Sequence, residues 1–165
     1  RFAVSNKRKF PELDVFDVRL LECLQGDARI SNVALAENVH LSPAPCLRRV
    51  RDLEASGVIR SYVTLLDPEA LGLAVSVFIQ IRLEKQVDSA LRTFEKTIEA
   101  YPEVMECYLM TGDSDYLLRV VTADLAGLQD FTVERLAKIP NVASIRSSIA
   151  LKQVKYKTAL PILSQ

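Results

Sequence analysis

Two short stretches of this 165-residue chain carry residue types that do chemistry, at the spacing the chemistry needs. In the first, the small-residue run Ser42-Pro43-Ala44-Pro45 precedes Arg48, Arg49 and Arg51. A helix that enters the major groove needs a narrow first turn that fits against base edges. It then needs guanidinium groups that reach guanine or phosphate. At helical periodicity Leu47, Val50 and Leu53 fall on one side, Arg48 falls nearly opposite, and Arg49 and Arg51 take the flanks. Arg60 downstream, and Lys7, Arg8 and Lys9 upstream, add candidate phosphate contacts. On its own such a helix is more often a solvated face. Arg48 with Asp52 and Arg51 with Glu54 are ordinary intrahelical pairs of about 0.2–0.5 kcal/mol each. What favours double-stranded DNA is the pair of shorter helices ahead of it and the extended segment behind it.

The second stretch is Gly112-Asp113-Ser114-Asp115-Tyr116. A free amino acid presents an ammonium and a carboxylate on one carbon. A glycine turn can offer backbone N–H groups to the carboxylate, and an aspartate can take the ammonium. The same residues also make an ordinary hairpin loop, and on residue types alone that plainer reading stands. Other chemistries lack their parts. His40 is the only histidine, so a zinc site or a Ser-His-Asp triad would have to be built around it alone. Cys23, Cys46 and Cys107 are far apart and odd in number, which fits a reduced cytoplasm and not a disulfide framework. The five glycines are isolated, so there is no phosphate-cradling loop. No catalytic residue, metal site or cofactor is expected.

Both stretches need elements to hold them. Residues 1–12 read as a basic arm. Asp14 caps a first helix with Leu13, Phe16, Leu20, Leu21 and Leu24 on its inner side, ended by Gly26-Asp27. Ser31 caps a second helix with Leu35, Ala36 and Val39 inward. Ser42 caps a third, with Pro43 in its first position and Gly57 as its stop. Val58 to Leu65 reads as extended, which closes a helical domain over 13–65. A linker, 66–72, then leads to a second domain over 73–165. There Val75, Val77, Ile79, Ile81 and Leu83 alternate with polar positions as a half-buried strand. A helix from Val87 to Tyr101, strands at Met105–Thr111 and Tyr116–Thr122, a helix from Leu125 to Ile139 and a strand from Val142 to Val154 follow. The order β-α-β-β-α-β predicts a ferredoxin-like antiparallel sheet with both helices on one face, so the fold class is α+β. The uncovered face would carry Phe78, Tyr108, Leu117 and Val121 and predicts a homodimer.

Composition agrees with a globular chain: 49% of residues are hydrophobic, 25% are charged, and 21 basic side chains balance 21 acidic ones. Zero net charge means that DNA has to be held by a local patch. Residues 1–60 carry ten Lys and Arg against eight Asp and Glu, and the remainder carries eleven against thirteen, so the patch belongs at the front. No apolar run approaches a membrane span, and no apolar stretch follows the basic start as a secretory signal would require.

In this order the blocks resemble the Lrp/AsnC (feast/famine) family of transcription regulators. Leu13-Asp14 to Leu24 and Asp27-Ala28-Arg29-Ile30 resemble its opening helices. Leu41-Ser42-Pro43 to Arg48-Arg49-Val50 and Leu53-Glu54-x-x-Gly57-Val58-Ile59 resemble its recognition helix and exit. Gly112-Asp113-x-Asp115-Tyr116 resembles its effector-loop motif. Coverage is roughly Leu13 to Pro161. Val104 to Leu118 and Arg146 to Pro161 look most like a branch that includes regulators of branched-chain keto-acid catabolism. The resemblance implies a winged helix-turn-helix followed by a ferredoxin-like (RAM/ACT-like) domain, in dimers that extend to octamers. DNA contacts would fall on Ser42, Pro43, Ala44, Pro45, Arg48, Arg49, Arg51 and Arg60. A small amino-acid effector would fall on Leu109, Met110, Thr111, Gly112, Asp113, Asp115, Tyr116, Ser147 and Ser148. The competing expectation is a ligand-sensing module that regulates a metabolic partner protein and leaves DNA alone. The helix after Ser42 separates the two, because such a module has no need of a small first turn followed by arginines.

Overall fold

In the computed structural model, which describes residues 11–162, Asp14 opens helix α1 (Val15–Gly26) with a reciprocal cap. Its carboxylate accepts from the Phe16 and Asp17 amides at 2.8 and 2.9 Å, and the Asp17 carboxylate accepts from the Asp14 amide. The basic arm lies outside the described residues except for its last two. Ser31 caps α2 (Asn32–Asn38) as its position predicts, its hydroxyl accepting from the Ala34 amide. Ser42 precedes α3 (Pro43–Ala55) but makes no side-chain cap. The reason is local. A capping oxygen serves the second or third helical N–H, and the third residue here is Pro45, which has none. Asn32 stabilises the junction differently, donating to the Pro43 carbonyl at 2.9 Å. Gly57 ends α3 at φ +76°, where a Cβ would be strained.

The inner stripe of α3 is Cys46, Val50 and Leu53, not Leu47, which is exposed. Helical spacing admits either 46-50-53 or 47-50-53, and a small thiol fits the tight contact with α1 and α2. These residues join Leu20, Leu21, Leu35, Ala36 and Val39 in one core. Burial raises the Cys46 thiol above its ordinary value, so it serves as a packed apolar group. The stretch expected to be extended does not form a strand: Val58 and Ile59 bend back onto the helical core, the Ile59 amide bonding the Leu53 carbonyl, and 60–65 pairs in no sheet among the described residues. The tail joins the three helices of this unit. Of the described residues, 11–64 cluster with 155–162, and Leu65–Val154 forms the second unit. Gln25 clamps the Leu160 backbone through both amide atoms, at 3.1 and 2.6 Å, and Ile162 packs on the helical core. Periodicity had assigned the whole of 73–165 to the second domain, because a tail without regular structure carries no period.

The second unit is a four-stranded antiparallel sheet of order β2-β3-β1-β4, from β1 (Val75–Leu83), β2 (Val104–Leu109), β3 (Tyr116–Thr122) and β4 (Val142–Ile149). The expected linker is an ordered turn, with Asp67 accepting from the Glu69 and Ala70 amides. Strand β4 ends earlier than expected, since β1 offers no partner beyond Val75. Val77, Ile79, Ile81 and Leu83 are buried with Leu118 and Val120 under α4 (Asp88–Glu99) and the second crossover. That crossover starts as α5 (Leu125–Asp130), widens into a π turn (Phe131–Arg135) and closes as a 3₁₀ turn. Phe131 and Leu136 are both buried yet five residues apart, more than an α-turn allows on one face, and the wider turn aligns them.

Loss of the Asp14 cap has a signed pH dependence. The Asp17 amide, and then the Arg49 guanidinium, hold the Asp14 carboxyl below its usual range. Its contribution is therefore full above about pH 4 and fades as pH falls through the lowered value. Asp14→Ala is expected to cost about 1 kcal/mol at neutral pH. Denaturant titration followed by helical circular dichroism should show the parent–variant gap narrowing in acid. A gap independent of pH would contradict this role.

Candidate functional site

The two candidate stretches fall in different units. In the helical unit, Ser42, Pro43, Ala44 and Pro45 are all exposed, and so are Arg48, Arg51 and Arg60. The first turn of α3 is thus a small-residue tip, and Ala44 is the one residue among its first three with a backbone N–H. Arg49 behaves differently from its neighbours. Its guanidinium turns back to α1, bonding Asp14 at 2.7 Å and Asp17 at 2.9 Å and lying 5.4 Å from the centre of the Phe16 ring. Those carboxylates raise its already high pKa. The group expected on a DNA-facing flank therefore ties α3 to α1, while Arg48 and Arg51 are exposed and pair with no carboxylate among the described residues. A single helical wheel cannot separate these roles, because the acidic partners lie on another helix. Tyr62, on the extended segment, donates to Glu54 of α3 at 2.9 Å. Desolvation and this bond push its hydroxyl up to about 12, so it stays a neutral donor.

In the sheet unit, the β2–β3 turn is closed by the Met110 amide bonding the Asp115 carbonyl at 2.8 Å. The Asp115 amide in turn bonds the Ile81 carbonyl at 2.9 Å. Gly112 sits at φ +115°, a conformation that a side chain would strain. Thr111, Gly112 and Asp113 are exposed at the tip, and Leu109 and Met110 offer exposed apolar surface beside it. The end of the motif departs from expectation. Asp115 is only 7% exposed, and both its oxygens are already engaged. Oδ2 accepts from the Leu83 amide at 2.6 Å and Oδ1 from the Gln86 carboxamide at 2.7 Å. Tyr116 is buried against Phe94, with ring centres 4.5 Å apart, and its hydroxyl donates to Glu95. Burial, then Glu95, raise that hydroxyl well above its ordinary value. Asp115 and Tyr116 thus anchor the turn from beneath, and the residues before them form its exposed tip.

Ser147 and Ser148 are not brought to the turn. Ser147 pairs with Ile79 and Ser148 with Phe78, so the two point to opposite faces of β4. Strands β4 and β2 are the two edges of the sheet. Gln86 and Asn141, which the sequence did not single out, do reach this end of the sheet. An asparagine directly after Pro140 is a turn signal, and Asn141 has φ +71°. Nothing in the sequence marks Gln86, because its role depends on a strand thirty residues away.

Among the described residues no helix packs on the opposite sheet face. Phe78 and Tyr108 are exposed there, beside Leu117 and a chain in which Tyr108 and Arg119 both bond Glu106 at 2.7 Å. The bond from Tyr108, and then that from Arg119, hold the Glu106 carboxyl below its usual range. A shallow groove of about 350 Å³ runs between α4 and the β2 edge, lined by Glu95, Ile98, Met105, Cys107 and Leu109 among others. Among the described residues no three His, Cys, Asp or Glu side chains are placed to hold a metal ion, and no helix is long and apolar enough to cross a membrane.

Comparison with known proteins matches both units. Residues 13–60 match the family model described as winged helix-turn-helix DNA-binding, and residues 76–160 match that of the Lrp/AsnC ligand binding domain. The chain is 48% identical over 151 residues to the Bkd operon transcriptional regulator of Pseudomonas aeruginosa, covering 92% of this chain and 99% of that one. It is 38% identical over 158 residues to the leucine-responsive regulatory protein of Escherichia coli, covering 96% of each. Among solved structures, a transcriptional regulator of Neisseria meningitidis in complex with L-Met superposes with a TM-score of 0.87. It is 38% identical, over 90% of this chain and 96% of that one.

Proposed function

We infer the division of labour in this molecule from one premise: the chain belongs to the Lrp/AsnC family of DNA-binding transcription regulators. It is a regulator with a winged helix-turn-helix unit and an amino-acid ligand domain, and not an enzyme. In our reading α3 enters the major groove of an operator. Ser42, Pro43, Ala44 and Pro45 fit against the groove, Arg48 reads a base edge, and Arg51 and Arg60 hold phosphates. The observation that carries this is the exposed small-residue tip of α3 with Arg48 and Arg51 exposed and, among the described residues, unpaired, while Arg49 braces the helix from behind.

The effector is an apolar amino acid, in keeping with the L-Met complex of the Neisseria regulator and the name of the leucine-responsive relatives. Its carboxylate meets backbone N–H groups of the Thr111–Ser114 tip, its ammonium meets Asp113, and its side chain lies on Leu109 and Met110. Asp115 and Tyr116 hold that tip in place. Two copies pair by two-fold symmetry through the open sheet face, and further pairing builds an octamer. In such an assembly Ser147 or Ser148 reaches the turn of a neighbouring copy, which the separation within one protomer requires. The protein works in the cytoplasm, where its DNA is.

Two variants test these assignments. Arg48→Ala is expected to weaken binding to the chain's own upstream DNA by about 1–3 kcal/mol, with a smaller effect on random DNA. Gel mobility shift measures both, and equal binding by parent and variant would return Arg48 to the solvated surface. Phe78→Glu places a charge on the open face and should convert a dimer or larger assembly to monomer by light scattering. An unchanged mass would mean that the copies meet elsewhere.

A further inference from the structure

Asp115 is the one carboxylate buried in this unit among the described residues, and no cation pairs with it. A buried charge without a counter-ion is stabilised only by hydrogen bonds aimed at it. Asp115 has two from outside its own turn, and they come from one short loop: the Leu83 amide at the end of β1, and the Gln86 carboxamide just before α4. The first is a backbone group and comes with the strand. The second is a side chain that the sequence can vary.

The same loop is gripped from its far side. Asn141 accepts from the Lys85 amide at 3.0 Å and donates to the Lys85 carbonyl at 2.8 Å, while its own carbonyl accepts from the Glu84 amide at 2.8 Å. Residues 84–86 therefore lie between two side-chain clamps, Asn141 ahead of β4 and Asp115 at the base of the β2–β3 turn. The backbone that carries Gln86 is thereby held beside Asp115, and the Asp115 bond in turn orients the Gln86 side chain. With the backbone held, its carboxamide reaches Asp115 Oδ1 at 2.7 Å, and Asp115 in turn closes the turn through its bond from the Met110 amide.

We propose that Gln86 is the positioning residue of the effector turn, acting through Asp115 to set how tightly the tip accepts an amino acid. This rests on the reading of the turn as the effector site, and it adds a residue outside the turn that controls it. Gln86 touches no ligand. Its effect travels through one hydrogen bond and is separable from packing, because replacement by leucine keeps the side chain's bulk and removes the donor.

Replacement by glutamate gives a sharper signature. In Gln86→Glu two carboxyl groups meet at hydrogen-bond distance. They hold together while they share a proton and repel once it is lost. Effector affinity in this variant should match the parent's in mild acid, at about pH 5, and fall toward that of Gln86→Leu by about pH 8. The other ionisable groups of the neighbourhood are Asp113 on the turn, Glu84 and Lys85 on the loop, Glu95 on α4, Tyr116 on β3 and Cys107 on β2. All are common to parent and variant, so comparison at each pH isolates the new pair.

The experiment uses the full chain as parent, Gln86→Leu and Gln86→Glu. Calorimetric titration with L-leucine and L-methionine is run at both pH values, alongside hydrogen exchange of the Thr111–Ser114 amides and mobility shift with the upstream DNA. Gln86→Leu should bind the amino acids about 10-fold more weakly, exchange the tip amides faster, and bind DNA without ligand as the parent does. Parent-like affinity and parent-like tip exchange in Gln86→Leu would overturn the proposal. A pH response in Gln86→Glu no different from the parent's would do the same. If the parent itself binds neither amino acid, the effector reading is what fails, and tip exchange alone then decides whether Gln86 fixes the turn.

Discussion

Two crossovers can cover only one face of a four-stranded sheet, and the organisation of the sensing unit follows from that constraint. Alternation along β1 sends Val77, Ile79, Ile81 and Leu83 under the helices and leaves Phe78, with Tyr108 of β2, on the other side. Burying residues of this size is worth about 1.5–3 kcal/mol each, so a slip of one residue in register would exchange a dry core for a wet one. That penalty holds β3 rigidly against β1. The β2–β3 turn is then presented from a fixed base, its last residue bonded to Ile81 and Leu83 of the central strand. The free face and the exposed turn are both consequences of the one-sided core.

The helical unit solves a different problem, which is to expose a helix tip without letting the helix wander. Two prolines in the first turn of α3 narrow it and abolish the usual third-residue cap. Anchoring is taken over by groups behind the tip: Asn32 on the Pro43 carbonyl, Arg49 on Asp14 and Asp17, and Cys46 in the core. Gln25 of α1 ties down the tail at Leu160, so the chain that leaves the sheet unit finishes on the helical unit. The two units are therefore joined covalently through both the segment after α3 and the segment after β4.

Much of this was legible because it is local. Caps at Asp14 and Ser31, the glycine stop at Gly57 and the alternation of β1 depend on neighbours within a few residues, and each stands in the structure as the sequence implied. The exceptions depend on distant partners. Arg49 looks like Arg48 until Asp14 and Asp17 arrive from another helix. Asp115 looks like a free carboxylate until Leu83 and Gln86 close on it. Ser147 and Ser148 look like a pair until strand geometry turns them apart. The tail has no period at all, and only its contacts with Gln25 and the helical core place it. Function in outline was legible because the blocks in both units resemble one family, whose models match 13–60 and 76–160; the long-range contacts of Arg49, Asp115 and Gln86 were not legible.

The central claim is that amino-acid binding at the sheet unit changes DNA binding by the helical unit. Fluorescence anisotropy of labelled upstream DNA, titrated with the protein in the absence and presence of saturating L-leucine or L-methionine, tests it when paired with calorimetry of the same amino acid with and without DNA. Linkage requires the two ratios of affinities to be equal, and a coupling of about 1–3 kcal/mol corresponds to about 5–150-fold in each. Equal, non-unit ratios are the predicted result. Tight binding of both ligands with no change in either affinity would contradict the account, because the two units would then share a chain without communicating.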